Sequence, residues 1–247
     1  MLSVSPGQTL ISPSTIRHGI ARTVSRLGLA SRTVAADWVR AGRIAVNGRV
    51  VRDPEYPVIA DRDRLALDGQ PLVAVEKRYL MLNKPRGLVT TTADEQGRDT
   101  VYRCFDGAGL PWLAPVGRLD KASEGLLLFS NDPAWAARIT NPATGPDKTY
   151  HVQISAQADA KLLARLVAGI SCEEGQLAAK SALLIRHGEK NAWLEVILDE
   201  GRNRHIRRLL EAQGIGVLRL IRVAIGPLQL GALAKGQWRW LDEHECR

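Results

Sequence analysis

The residue most suited to chemistry in this chain is Asp120, set in Val116-Gly-Arg-Leu-Asp-Lys-Ala-Ser-Glu-Gly-Leu-Leu-Leu128. It lies between Arg118 and Lys121, and neighbouring cations keep a carboxylate ionised. The charged loop runs straight into Gly125-Leu-Leu-Leu-Phe129, a continuous apolar run short enough for a buried strand. A carboxylate placed there serves either a reaction or the turn itself. From the pattern alone, capping or closing the turn is the simpler account.

The elements around that loop are mixed. Tyr79-Leu-Met-Leu82 reads as a strand ending at the loop Asn83-Lys-Pro-Arg-Gly87. Asp132-Pro133 reads as N-cap and first position of a helix that Asn141-Pro142 stops. Tyr150-His-Val-Gln-Ile154 alternates like a strand, and a helix follows over 158–167 with Gly169 beyond it. Ala182–Ile185 and Trp193–Leu198 read as a strand pair, and a helix runs over 203–213 to Gly214. Strands mixed with helices without regular βα alternation predict an α+β domain on a mixed sheet.

The N-terminal third has a different character. Residues 1–13 carry Ser, Pro, Gly and Thr without periodicity and read as a flexible tail. Ile20, Val24 and Leu27 then recur at helical spacing up to Gly28. Ser31 is an N-cap for a second helix ending at Gly42, and Asn47-Gly48 between β-branched residues signals a tight hairpin. Residues 14–60 hold eight Arg against three acidic residues. Arg22, Arg26, Arg32, Arg40, Arg43 and Arg49 surround the two helices and the hairpin. A solvated basic surface is the plain reading of such a face. The excess is all Arg, whose fork suits phosphate, and this favours RNA.

Composition narrows the partner. The 247 residues carry a formal net charge of +8 with 45% hydrophobic residues, so a core forms and a polyanion is the expected partner. No apolar run nears the roughly 20 residues of a membrane span. No secretory apolar stretch opens the chain, so no signal peptide is expected. Cys104, Cys172 and Cys246 are odd in number and far apart, which suits a reducing cytoplasm and argues against a disulfide framework. The five histidines show no ligand spacing, so no metal is expected. No Walker loop or dinucleotide fingerprint is present either.

Two resemblances assemble these parts. Arg26-Leu-Gly-Leu-Ala-Ser-Arg32, Val39-Arg-Ala-Gly-Arg-Ile44 and Val46-Asn-Gly-Arg-Val-Val51 resemble the S4 RNA-binding domain, although Ile16-Arg-His-Gly19 replaces its usual opening. Gly117-Arg-Leu-Asp120 followed by Ser123-Glu-Gly-Leu-Leu127 resembles the central motif of the pseudouridine synthases, most closely the ribosomal-RNA branch that carries an S4 domain in front. Lys148-Thr-Tyr150, Glu200-Gly-Arg-Asn-Arg-His-Ile-Arg-Arg-Leu209, Leu220-Ile-Arg-Val-Ala-Ile-Gly-Pro-Leu228 and Gly236-Gln-Trp-Arg-Trp240 follow in the family's order. The resemblance implies a tail over 1–13, an S4 domain over 14–75 and a catalytic domain over 76–247. The catalytic domain's mixed, largely antiparallel sheet would be flanked by helices.

The resemblance also implies roles. Asp120 would be the essential nucleophile or general base. Tyr150 would stack near a flipped base and take part in proton transfer, although a phenol with a reference pKa of about 10 is a weak base at neutral pH. Arg207 would form a bidentate pair with Asp120. His205 stands where the family more often has Gln. Lys84, Arg86, Arg118, Arg202 and Arg204 would contact RNA, with Lys84 and Arg86 on a loop after a strand. The target uridine must be flipped out of its stack, and RNA contacts on both domains would offset that cost.

Uridine isomerisation is redox-neutral and consumes no triphosphate, so no cofactor is expected. The implied protein is a cytoplasmic, monomeric enzyme without a membrane partner. Its partner would be ribosomal RNA, 23S ahead of 16S, or an assembling ribosomal subunit. A non-catalytic assembly factor and a tRNA-directed synthase are the rival readings. Asp120, Tyr150 and Arg207 together favour an enzyme.

Overall fold

Apolar residues spaced by three and four give way to alternation at Ile44, and the backbone follows. The structure is a computed structural model that describes residues 16–92, 94, 96–172 and 175–246. The tail read over 1–13 lies outside the described residues. The chain divides into two units between Glu76 and Lys77.

The first unit runs β1 (His18–Gly19), α1 (Ile20–Arg26), α2 (Arg32–Arg40), β2 (Ile44–Val46), β3 (Arg49–Val50), β4 (Pro57–Val58), β5 (Leu65–Leu67) and β6 (Gln70–Pro71). Ser31 caps α2 as expected, its Oγ accepting from Val34 N at 3.1 Å. Asn47 and Gly48 both take positive φ, 51° and 82°. That is the backbone a two-residue hairpin turn between β2 and β3 needs. Ile20, Val24, Ala35, Val39, Ile44 and Leu65 close a small core between the helices and the four strands β3-β2-β5-β6.

The second unit contains β7 (Tyr79–Lys84), a 3-10 turn (Val101–Phe105), β8 (Ala114–Val116), β9 (Glu124–Ser130), α3 (Pro133–Thr140), β10 (Lys148–Ile154) and α4 (Ala160–Ala168). It continues with β11 (Ile170–Cys172), β12 (Gly175–Leu177), β13 (Ser181–His187), β14 (Ala192–Leu198), α5 (His205–Glu211), β15 (Val217–Ile225), β16 (Leu228–Gln229) and β17 (Trp238–Trp240). A nine-stranded sheet is ordered β13-β14-β10-β15-β9-β7-β17, with β16 beside β15 and β8 beside β9. All its pairs are antiparallel except β9 with β15. The fold is thus α+β on a mixed, largely antiparallel sheet.

Helices α4 and α5 cover one face, packing Leu162, Leu166, Ile206 and Leu209 on Leu82, Leu127, Phe129, Val152 and Leu194. On the other face Trp135 of α3 meets Met81, Leu126 and Leu128. Strand β9 is therefore buried on both sides, which is why its sequence is continuously apolar. Asp132 caps α3 through Ala134 N and Trp135 N, with Pro133 at the first turn. Among the described residues no helix is long and apolar enough to cross a membrane.

The parallel pair positions the site. Register sets Gly125 beside Arg222 on β15, and Arg222 beside Tyr150 on β10. One row across three strands thus joins the end of the Asp120 loop to Tyr150. Gly125 is required in that row. Its φ is +100°, and a Cβ there would lie 2.3 Å from the carbonyl oxygen of Arg222.

Candidate active site

Asp120 sits on the loop between β8 and β9, and hydrogen bonds hold that loop from several sides. Lys84 Nζ donates to Asp120 O at 3.2 Å and to Ser123 O at 2.9 Å. Thr90 Oγ1 donates to Leu119 O at 2.7 Å, and Gly87 N donates to Lys121 O at 2.8 Å. Ser123 N closes the turn on Asp120 O at 2.9 Å. From α5, Arg207 Nη2 donates to Ala122 O at 3.1 Å. These bonds fix the backbone and leave the Asp120 carboxylate half-exposed; among the described residues it has no side-chain hydrogen bond and no ion pair within 4 Å.

That carboxylate borders a cavity of about 700 Å³. Its lining includes Arg118, Lys148, Tyr150, Glu200, Arg202, Arg204, His205 and Arg222. Cations outnumber carboxylates on the walls, so the cavity suits an electron-rich or anionic guest. Tyr150 is buried and contributes an aromatic side chain to the lining. The cavity thus combines an ionisable carboxylate, an aromatic wall and cationic walls.

Of the residues singled out in the sequence, Asp120, Tyr150, Arg118, Arg202 and Arg204 meet here. Two expectations need correction. Lys84 is not on a loop facing phosphate: it ends β7 and is fully buried. Its ammonium is spent on three carbonyls, including Pro85 O at 3.0 Å. Burial pulls its pKa down to about 8 against the raising fields of Cys104, Asp120 and Glu124. Arg207 makes no bidentate pair with Asp120. Its guanidinium reaches the backbone of the Asp120 loop instead, and its Nε is buried without a partner. Burial lowers its pKa, Arg204 adds to that, and Asp120 opposes it. Arg207 therefore feels the charge of Asp120 while bracing its loop.

Arg86 is exposed on the turn after β7. In the first unit Arg22, Arg26, Arg32, Arg40, Arg43 and Arg49 are all exposed. Arg32 pairs with Glu55 at 3.0 Å, Arg40 with Asp37 at 3.0 Å, and Arg43 with Asp68 at 2.5 Å. Such exposed pairs are weak enough to exchange for phosphate. His205 is buried, and burial lowers its pKa, so it is neutral at pH 7. Against that burial act Glu200, whose Oε1 lies 3.7 Å from Nδ1, and the Ala178 backbone. Sequence reading gave no site role to Lys148 or Arg222, both buried on the cavity wall. The available signal was a basic residue on the inward register of an apolar strand.

Comparison with known proteins agrees with this geometry. Residues 78–212 match the family model for RNA pseudouridylate synthase, and residues 19–60 match the S4 domain. An uncharacterised RNA pseudouridine synthase of Aquifex aeolicus is 38% identical over 92% of this chain and 91% of its own length. The ribosomal large subunit pseudouridine synthase B of Bacillus subtilis is 33% identical over 92% and 93%. The protein of that name in Escherichia coli K12 is 35% identical over 90% and 79%. A crystal structure of a pseudouridylate synthase superposes with a TM-score of 0.63 at 29% identity, covering 94% of this chain and 98% of the other. The chain belongs to the RNA pseudouridylate synthase family, with an S4 domain in front of the catalytic fold.

Proposed function

We propose that this enzyme isomerises a uridine of large-subunit ribosomal RNA, and that Asp120 opens the reaction. The observation that carries the reading is the shared cavity, where the Asp120 carboxylate and the Tyr150 ring lie among Arg118, Arg202 and Arg204. Two relatives matched along most of their length bear the name ribosomal large subunit pseudouridine synthase B, which supports this target over tRNA.

A uridine in folded RNA reaches such a cavity only by leaving its stack, at a cost of a few kcal/mol. Arg118, Arg202 and Arg204 hold the flanking phosphates and offset part of that cost. Tyr150 packs against the flipped ring. Asp120 then acts on the nucleotide, the bond between C1′ and N1 breaks, the ring turns, and C5 bonds to C1′. The C5 proton leaves last. The exposed arginines of the first unit bind RNA helix outside the site, and the enzyme works as a cytoplasmic monomer.

The test is release of tritium from C5-labelled uridine in large-subunit rRNA, small-subunit rRNA and tRNA transcripts. Release from large-subunit RNA that Asp120→Asn abolishes, with RNA affinity retained, is the expected result. Binding without release from any RNA, by an intact wild-type protein, would favour an assembly factor instead.

A further inference from the structure

Arg222 and Lys148 are buried cations, and among the described residues neither has a carboxylate oxygen within 4 Å. Arg222 is 6% exposed and Lys148 9%. Tyr150 stands directly across from Arg222 and two residues along from Lys148, so the three side chains share one face of the sheet. Arg222 Nε donates to Leu126 O at 2.7 Å, while its Nη2 is buried without a hydrogen-bond partner. Two carboxylates act on Lys148 from beyond 4 Å: Asp147, which is committed to Lys180 at 2.7 Å, and Asp199. Holding two charges this way costs several kcal/mol, and the cost persists in a fold when a ligand meets them. Burial and the charge of Arg222 both lower the pKa of Lys148, as expected for cations forced together.

The reaction supplies a matching ligand. Before the step the negative charge is on Asp120. If its carboxylate bonds to C1′, or takes a proton from the sugar, the C1′–N1 electron pair departs with the base. The uracil anion then carries the charge on N1, O2 and O4. If the carboxylate bonds to C6 instead, the charge appears on the O4 enolate. In every case one negative charge leaves Asp120 and arrives on the uracil oxygens.

Resting on the reading that Asp120 opens uridine isomerisation, we propose that Arg222, with Lys148 beside it, is a catalytic anion acceptor that takes a carbonyl oxygen of the detached uracil. The two residues hold the base while it turns. A half-turn about the N3···C6 axis exchanges N1 with C5 and O2 with O4. A donor fixed at one carbonyl position therefore meets a carbonyl oxygen before the turn and again after it, releasing the first as the ring rotates and receiving the second.

The test is single-turnover conversion of large-subunit rRNA transcripts carrying uridine or 5-fluorouridine, followed as loss of the parent nucleoside in nuclease digests. Fluorine stabilises the uracil anion and lessens its need for a protein cation. Arg222→Gln keeps a donor for Leu126 O and removes the charge. We expect it to slow uridine conversion by about a hundredfold, the scale of one lost oxyanion donor. RNA affinity should stay within about threefold, and 5-fluorouridine should be slowed about tenfold less. Lys148→Met, whose apolar chain fills the same space, should shift the ratio in the same direction, and Lys148→Arg should restore it. Lys148→Met keeps the question decidable if Arg222→Gln does not fold. Equal slowing of both nucleosides, or a loss confined to affinity, overturns the proposal. An active wild type with an equally active Arg222→Gln overturns it alone, and a wild type inactive on every RNA overturns the synthase reading with it.

Discussion

Replacing Lys84 with Met isolates what a buried ammonium does for the Asp120 loop. Met keeps most of the apolar stem and removes the charge, so packing changes little. Pro85 O, Asp120 O and Ser123 O each lose a charged donor, at 3.0, 3.2 and 2.9 Å, while Asp120 O keeps its bond from Ser123 N. Hydrogen bonds from a charged group are worth about 1.5–3 kcal/mol each, so the loss is about 4.5–9 kcal/mol. Against this stands the cost of burial, which takes the Lys84 pKa from 10.5 to about 8. At about 1.4 kcal/mol per unit that cost is roughly 3.5 kcal/mol at neutral pH, and Met is spared it. The net destabilisation is about 1–5.5 kcal/mol, concentrated where Asp120 is aimed. Urea unfolding followed by tryptophan fluorescence reads it, because Trp38 is the one tryptophan of the first unit and the other five lie in the second. Turnover should fall further than stability, since a loosened loop misplaces its carboxylate. The pH dependence adds an independent check. Native Lys84 releases its proton near pH 8, and the unfolded chain keeps it to about 10.5. The unfolded state therefore holds more protons across that window, and Lys84 makes stability rise with pH there. Lys84→Met should lack that rise. A variant with an unchanged urea midpoint and full turnover would refute the account of the loop.

Three further perturbations test other parts of the structure. Gly125→Ala should destabilise the catalytic unit by about 3 kcal/mol, because the new Cβ meets the Arg222 carbonyl at positive φ; a urea midpoint equal to the parent's would contradict the close approach of β9 and β15. Asp132→Ala removes the α3 cap together with the partner of Lys77 and Tyr79, and should cost at least about 1 kcal/mol in the same assay. Burial would raise the Glu124 carboxyl, but Arg219 at 3.1 Å and Lys235 at 2.5 Å hold it below its usual 4.5. The stability it contributes is therefore full above about pH 4.5 and lost as the pH falls through its lower native value. Glu124→Gln should flatten the urea midpoint between pH 5 and pH 3, and an unaltered acid limb would show that the cluster is not coupled to folding.

Local signals were legible where a residue's role is satisfied by its neighbours in sequence. Ser31, Asp132-Pro133 and Asn47-Gly48 cap and turn the chain as their types dictate, because each acts within three residues of itself. The two-sided burial of β9 was legible in its unbroken apolar run. What escaped the sequence is long-range. Lys84 looks like a surface cation beside Pro85 and Arg86, and its burial depends on carbonyls 36 and 39 residues away. Arg207 carries a motif that resembles a partner for Asp120, but its length allows it to reach either the carboxylate or the Ala122 carbonyl. Arg222 and Lys148 read as ordinary members of alternating strands until register sets one of them opposite Tyr150.

The parallel contact of β9 with β15 also has a consequence for the order in which the enzyme becomes competent. Its paired residues are Gly125 and Arg222, so the Asp120 loop and the far wall of the cavity are separated by almost a hundred residues of chain. Loop closure on that scale comes late in folding, and domains form from the N-terminal end as the chain is synthesised. The first unit, complete by Glu76, is available to grip RNA well before strand β15 exists. A growing chain can therefore bind before it can react, and chemistry begins only when the last third of the polypeptide has been laid against the first strands of the sheet.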